Sequence, residues 1–269
     1  MELSTGITDD LVDRLSCADR FVVFTGAGVS QESGVPTFRG RDGLWNDYSA
    51  EDLATAEAFD RDPELVWSWY DYRRQIIADA EPNPAHHAIA DLEDVLPDVV
   101  LITQNVDGLH RRAGSAEPIE LHGNIWRVRC TKELTVNDFD EVPLRDNPPR
   151  CRACGALLRP DVVWFGEPLP VKAFEASRRA AESCDAMLVV GTSAVVRPAA
   201  SLPLVAKHNG ATVVEVNTGY TPFSVLIDAT LLGAAGAILP ELVGRIAERR
   251  DAEGRTRSSV RDVREERKA

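Results

Sequence analysis

Four short apolar runs constrain this chain more than any other feature: "FVVF" (21–24), "VVLI" (99–102), "MLVV" (187–190) and "TVVEV" (212–216). They are β-branched and continuous rather than alternating, the pattern of strands buried on both faces. A weaker run lies near 228–232, and amphipathic stretches at 63–78, 84–95, 171–183, 200–209 and 240–249 fall between the runs. Strands alternating with helices predict a parallel sheet covered on both sides, a doubly wound, Rossmann-like α/β fold. At 269 residues the chain is long enough for a large core.

Residues 124–165 interrupt the rhythm with three of the five cysteines, four prolines and no long helical pattern. They read as a small module inserted into a discontinuous domain spanning 1–245. From 246 onward, "IAERRDAEGRTRSSVRDVREERKA" is charge-dense with few apolar anchors, and the expectation is a disordered tail over 246–269.

Composition excludes several classes of function. The chain opens on the polar "MELSTGITDD", and its most apolar late stretch is interrupted by Asp228 and ends at Pro240. Neither a secretory leader nor a membrane span is expected, and the setting is read as cytoplasmic. A net charge of -13, with only four lysines among 30 basic residues, predicts a surface that repels nucleic acid. An odd count of five cysteines points to a metal or free thiols rather than a disulfide framework. Nothing in the sequence fixes an oligomeric state.

After "FVVF" comes a glycine turn, in which Gly26 and Gly28 permit close backbone approach to a pyrophosphate. The third glycine of the G-x-G-x-x-G pattern is absent, since Gln31 stands there. "GTS" (191–193) after "MLVV" and "VNTG" (216–219) after "TVVE" supply two more polar turns. All three turns should gather at the carboxyl edge of one sheet, with Asn217 placed to hold ribose hydroxyls. On the 63–78 helix, Val66, Tyr70, Arg73 and Ile77 share one flank. Tyr70 and Arg73 read either as a half-buried phenol beside a solvated cation or as a small anion receptor. Tyr72 and Arg74 lie on other flanks.

"GAGVSQESGVPTFRG", "TQNVDGLH" (103–110), "LHGNIW" (121–126), "VVWFGE" (162–167), "GTS" and "VNTG" stand in one order. In that order they resemble the motifs of the sirtuins, NAD-dependent protein-lysine deacylases. The resemblance covers roughly 18–240 and implies a Rossmann-like domain carrying a small zinc-ribbon-like domain. It implies that Ala27, Thr37, Phe38 and Arg39 form a cofactor loop, and that Gln104 meets the nicotinamide ribose. Asn105 and Asp107 would form the nicotinamide pocket, with Asp107 also near a helix start, and His122 would be the catalytic base. It extends the cofactor set to Trp45, Val106, Gly191, Thr192, Ser193, Thr218, Gly219 and Ala235. His86, His87, His110 and His208 read as structural or solvated, and Cys17 and Cys184 as packed thiols.

The implied reaction has the acyl-lysine amide oxygen attack C1′ of the nicotinamide ribose and expel nicotinamide. The ribose 2′-oxygen then attacks the resulting imidate, and water completes the collapse to O-acyl-ADP-ribose and free lysine. Val163 and Phe165 would meet the acyl-lysine peptide along an extended edge. Cys151 and Cys154 keep the ribbon's second cysteine pair, but the first reads "CTKE", with Cys130 present and Glu133 in place of a thiolate. Three thiolates plus a carboxylate on structural zinc, and a metal-free ribbon held by packing, both stay open. "DLATAEAFDRDPELVWSWYDYRR" resembles the desuccinylase and demalonylase branch, which implies that Tyr70 and Arg73 bind the distal carboxylate of the acyl chain. Plain deacetylation, protein ADP-ribosyl transfer and NAD sensing without turnover are the alternatives.

Overall fold

The computed structural model describes residues 6–37 and 50–254. Phe38, Arg39 and Trp45 of the expected cofactor set, and residues 255–269 of the expected tail, lie outside the described residues. In chain order the strands are β1 (Arg20–Thr25), β2 (Asp98–Thr103), β3 (Ile119–Glu120), β4 (Gly123–Cys130), β5 (Val136–Asp138), β6 (Leu158–Val162), β7 (Ala186–Val190), β8 (Thr212–Asn217) and β9 (Ala229–Leu232). The helices are α1 (Asp9–Ser16), α2 (Ala50–Leu53), α3 (Ala56–Arg61), α4 (Pro63–Asp79), α5 (Pro84–Val95), α6 (Leu109–Arg112), α7 (Val171–Ser183), α8 (Leu202–His208) and α9 (Ala235–Ala252).

Six strands form a parallel sheet in the order β3-β2-β1-β7-β8-β9. Side chains alternate across it, and both faces are covered. Phe21 and Val23 pack with α1, α5 and α9 through Leu11, Ile89 and Leu242. Val22 and Phe24 pack with α7 and α8 through Ala181, Leu202 and Ala206. That two-sided burial is why "FVVF" shows no polar alternation.

A second, antiparallel sheet, β5-β4-β6, occupies the segment that broke the α/β rhythm. Its packing partner is a helix from outside that segment. Asp62 caps α4 by accepting from the Leu65 amide (2.9 Å), and Pro63 follows as the first helical residue. Val66, Trp67, Tyr70 and Ile77 of this helix then share a core with Ile125, Val128, Leu158 and Val162. The Trp67 indole N–H donates to the Leu158 carbonyl (2.7 Å).

The C-terminal end differs from the expectation. Helix α9 continues to Ala252, and both Ile246 and Arg250 are buried on it. Arg250 donates to the Ser16 carbonyl at the end of α1 (2.7 Å), a cap that a charge-density reading mistakes for a solvated tail. Among the described residues no helix is long and apolar enough to cross a membrane.

Candidate functional site

β1 and β7 are adjacent, yet the chain steps outward from them in opposite directions. A crevice therefore opens at their carboxyl ends. There the Gly26 amide donates to the Val190 carbonyl (3.0 Å) and the Gly28 amide to the Gly191 carbonyl (2.8 Å). A Cβ on Gly28 would stand 2.7 Å from the Gly191 oxygen. Gly191 has φ +59°, and a Cβ there would lie 2.4 Å from the Val29 nitrogen. The two turns interlock backbone on backbone, which only glycine allows.

A cavity of about 460 Å³ extends from these turns. Gly26, Ala27, Gly28 and Thr37 line it from the first turn, and Gln104, Asn105 and Val106 from the end of β2. Gly191, Thr192, Ser193 and Asn217 contribute the floor at the ends of β7 and β8. Gln104 donates to the Thr192 hydroxyl (3.0 Å) and Asn217 to the Thr192 carbonyl (2.9 Å), tying three strand ends together. Thr218 and Gly219 are exposed just beyond, whereas Ala235 is buried in the core at the start of α9.

His122, Val163 and Phe165 line the opposite wall. His122 Nδ1 lies 3.0 Å from the Gln104 carbonyl, which can only accept, so Nδ1 carries the hydrogen. Nε2 is then the basic nitrogen. Burial lowers the His122 pKa against the opposing effect of that hydrogen bond, so the ring is a neutral base at pH 7. Gly123 fixes its position. With φ +82°, a Cβ there would fall 2.1 Å from the Asp161 oxygen. The Val163, Trp164 and Phe165 amides donate to the His122 carbonyl (2.8 Å), Glu167 Oε2 (2.8 Å) and the Ala54 carbonyl (2.9 Å). These internal bonds narrow the edge that an added peptide strand could use.

Beneath the cavity Asp107 is buried, and desolvation raises its pKa against hydrogen bonds from the Leu109 amide and Ser30 and the charge of Arg73. Oδ1 accepts from the Leu109 amide (2.9 Å) at the start of α6, and Oδ2 from the Ser30 hydroxyl (2.7 Å). Ser30 Oγ in turn accepts from Asn105 Nδ2 (3.2 Å) and lies 3.3 Å from His86 Nε2. His86 Nδ1 accepts from the Asn83 amide (3.2 Å), which leaves the proton on Nε2, directed at Ser30. Each hydrogen-bonding capacity of the Ser30 hydroxyl is thereby used. A second chain runs behind: Thr25 donates to Thr103 (2.8 Å), and His110 Nε2 lies 3.0 Å from the Thr25 hydroxyl. Burial lowers His86 to about 4 and His110 to about 3, and their rings stand 4.9 Å apart.

Sequence reasoning missed Ser30 and Thr25, and it read His86 and His110 only as structural. The Asn83–His86 spacing of a capping box was the one local signal. Trp126 was missed as well. Its indole N–H donates to the Asp107 carbonyl (2.7 Å) and braces the turn through Gly108.

Tyr70 and Arg73 are both buried, and Tyr70 lines the cavity. Burial pushes the Tyr70 phenol well above its ordinary pKa, against the hydrogen bond from Trp164 and the nearby Arg73 charge. Arg73 donates to the Pro36 carbonyl (3.4 Å), with its guanidinium 5.3 Å from the Trp69 ring centroid. Arg74 points elsewhere. It is fully buried between Trp126 (5.2 Å) and Phe139 (4.8 Å), donates to the Phe139 carbonyl (2.5 Å), and is lowered to about 10 by burial.

The sulfurs of Cys130, Cys151 and Cys154 lie within 4.8 Å of one another. Three thiolates at this spacing fit three corners of a tetrahedral metal site. Glu133 is exposed and its carboxylate is not part of the cluster; its amide instead donates to Cys130 Sγ (3.4 Å). Cys17 is exposed rather than packed, and Cys184 is buried.

A model of the Sir2 family matches residues 26–198. The chain is 53% identical over 240 residues to an NAD-dependent protein deacylase 2 of Pyrobaculum aerophilum, covering 89% of this chain and 96% of that one. It is 51% identical to an NAD-dependent protein deacylase of Aquifex aeolicus, covering 87% and 98%. The crystal structure of a Sir2 homolog-NAD complex superposes with a TM-score of 0.88 at 46% identity, covering 92% of this chain and 97% of that one. A Sir2-p53 peptide-NAD+ complex superposes at 0.79 and 32% identity, covering 88% and 97%.

Proposed function

The chain belongs to the Sir2 family, and from that membership we propose an NAD-dependent protein-lysine deacylase that removes succinyl and malonyl groups as well as acetyl groups. With one water consumed, the products are nicotinamide, O-acyl-ADP-ribose and free lysine. One observation carries the reading: a single cavity is lined by the interlocked glycine turns, by the neutral base His122 and by the buried phenol Tyr70, with Arg73 on the same helix flank.

The cavity fits the cofactor, because the glycine turns at 26–28 and 191 close on each other and line it with backbone and small polar side chains, with Asn217 at the end of β8. Bound NAD supplies ADP-ribose as acyl acceptor and nicotinamide as leaving group. The chain's residues do the rest. Asn105 lines the nicotinamide end of the cavity, and Asp107 beneath it steadies Asn105 through Ser30. His122 Nε2 takes a proton from the ribose hydroxyl system, and Nδ1 keeps the ring oriented through the Gln104 carbonyl. Phe165 and Val163 border the acyl-lysine channel. Cys130, Cys151 and Cys154 would hold a structural zinc far from these proton transfers. The five cysteines, none in a disulfide, support a reducing, cytoplasmic setting.

For the acyl preference, Arg73 offers a charged fork and Tyr70 a hydroxyl on one buried flank. Losing a charged hydrogen bond costs about 1.5–3 kcal/mol, so Arg73→Met should lower the succinyl-to-acetyl ratio of kcat/KM by about 10- to 150-fold. Mass spectrometry of succinyl- and acetyl-peptide reactions, with and without NAD, reads both the activity and the ratio. Equal losses on both peptides would show Arg73 to be structural and refute the preference.

A further inference from the structure

Trp164 is immobilised on three sides. Its backbone N–H donates to Glu167 Oε2 (2.8 Å), and the Arg159 guanidinium lies 3.4 Å from its ring centroid. Arg159 is itself fixed by Glu167, through contacts of 2.5 Å and 2.9 Å. Phe59 packs on the ring at 5.3 Å. Held so, the indole N–H donates to the Tyr70 phenol oxygen at 2.9 Å. The ring is 3% exposed and Tyr70 is 2% exposed, so water does not compete for this bond.

The direction of that bond decides what Tyr70 can do. An indole N–H donates only, whereas a phenol both donates and accepts. The phenol oxygen accepts from Trp164, so its own hydrogen cannot occupy that side. The Tyr70 O–H is therefore turned away from the indole and available to donate. A guanidinium lying over the indole face withdraws electron density from it and strengthens the N–H as a donor.

We propose that Trp164 is a specificity-determining positioning residue that fixes Tyr70 as a hydrogen-bond donor, so that the pocket selects acyl chains ending in a carboxylate or another acceptor. This rests on the carboxylate-binding role given to Tyr70 and Arg73 above. Without the indole N–H, the Tyr70 hydroxyl is free to turn and to spend its hydrogen on a protein acceptor, and the acyl terminus loses a preoriented partner. The effect falls on ground-state binding of the acyl chain, hence on KM for the charged peptide rather than on kcat.

A double-mutant cycle on the full chain with saturating NAD tests this. The readout is the succinyl-to-acetyl ratio of kcat/KM in wild type, Trp164→Phe, Tyr70→Phe and the pair. Trp164→Phe keeps an aromatic ring under Arg159 but removes the N–H; one neutral hydrogen bond corresponds to a fall in the ratio of roughly 2- to 12-fold. The fall should appear in succinyl-peptide KM, and in the Tyr70→Phe background the same substitution should have less than about a twofold effect. Placing the benzothienyl analogue of tryptophan at 164, which replaces only N–H by sulfur, gives the same test should the phenylalanine variant not fold. Additive effects of the two substitutions, or equal losses on both peptides, overturn the proposal. Arg73→Met separates the two levels. If it lowers the ratio while the cycle is additive, only the Trp164 assignment fails; if it leaves the ratio unchanged, the carboxylate reading fails and takes this one with it.

Discussion

Two neutral imidazoles under the active cavity should make this protein acid-labile in a measurable window. Unfolded histidine titrates near 6.5, whereas burial holds His86 to about 4 and His110 to about 3. Below pH 6.5 the unfolded chain binds protons that the native state refuses, so acid favours unfolding. The contribution of each ring is fully present above its unfolded value. It falls by about 1.4 kcal/mol per pH unit until the folded value is reached. Between pH 7 and pH 5 the pair should lose about 4 kcal/mol, a large part of the roughly 5–15 kcal/mol that holds most domains folded. The net charge of -13 works in the opposite direction, because acid relieves its self-repulsion. A variant comparison cancels that background. In His86→Gln/His110→Gln an amide can still donate to Ser30 and Thr25 but cannot titrate. Urea unfolding followed by tryptophan fluorescence at pH 7, 6 and 5 gives the free energy of each form. Wild type should lose about 4 kcal/mol more than the double variant over this range. Parallel pH slopes in the two proteins would show that the rings are not held neutral, and the argument from burial would fail.

Three further outcomes follow from the geometry. His122→Ala should abolish deacylation yet leave NAD binding by calorimetry largely intact. Because burial lowers the wild-type ring, the acid limb of kcat/KM should lie below the ordinary histidine value. Gly123→Ala forces both a positive φ and an overlap with the Asp161 carbonyl, and should cost more than about 3 kcal/mol in thermal or urea unfolding. Wild-type zinc should be lost readily on chelator dialysis, since only three thiolates converge; Glu133→Cys should raise zinc retention by elemental analysis and should raise Tm.

The parts of the fold legible in the sequence were those decided by local pattern. β1, β2, β7 and β8 announce themselves because both faces are buried, and α4, α5 and α7 begin and end within a residue of their apolar periodicity. The small sheet was not legible as strands. β6 reads "LRPDV", with Arg159, Pro160 and Asp161 in a strand of five, because it is held by pairing with β4 rather than by a hydrophobic run. Nor could the sequence show that α4 backs this sheet, since that contact joins residues about 90 apart, as from Trp67 to Leu158. At the site, the motif residues were found by their order along the chain, but their supports were not. Ser30 meets Asp107 across 77 residues and Trp164 meets Tyr70 across 94. No periodicity encodes such pairs.

The adjacent arginines of α4 carry a lesson for how this chain can change. One helical step turns the guanidinium at 73 towards the Pro36 carbonyl and the Trp69 ring, and the one at 74 into an aromatic clamp under the small sheet. Under the carboxylate-binding role proposed for Arg73, variation at 73 should change the acyl substrate with the protein still accumulating at normal levels. Variation at 74 opens the clamp and removes the protein before any substrate is offered. In a mutational scan scored separately for abundance and for turnover, position 73 should be permissive in the first and restrictive in the second, whereas 74 should be restrictive in both. On the proposed role of Arg73, the acyl preference is then tunable at one arginine while its neighbour keeps the fold.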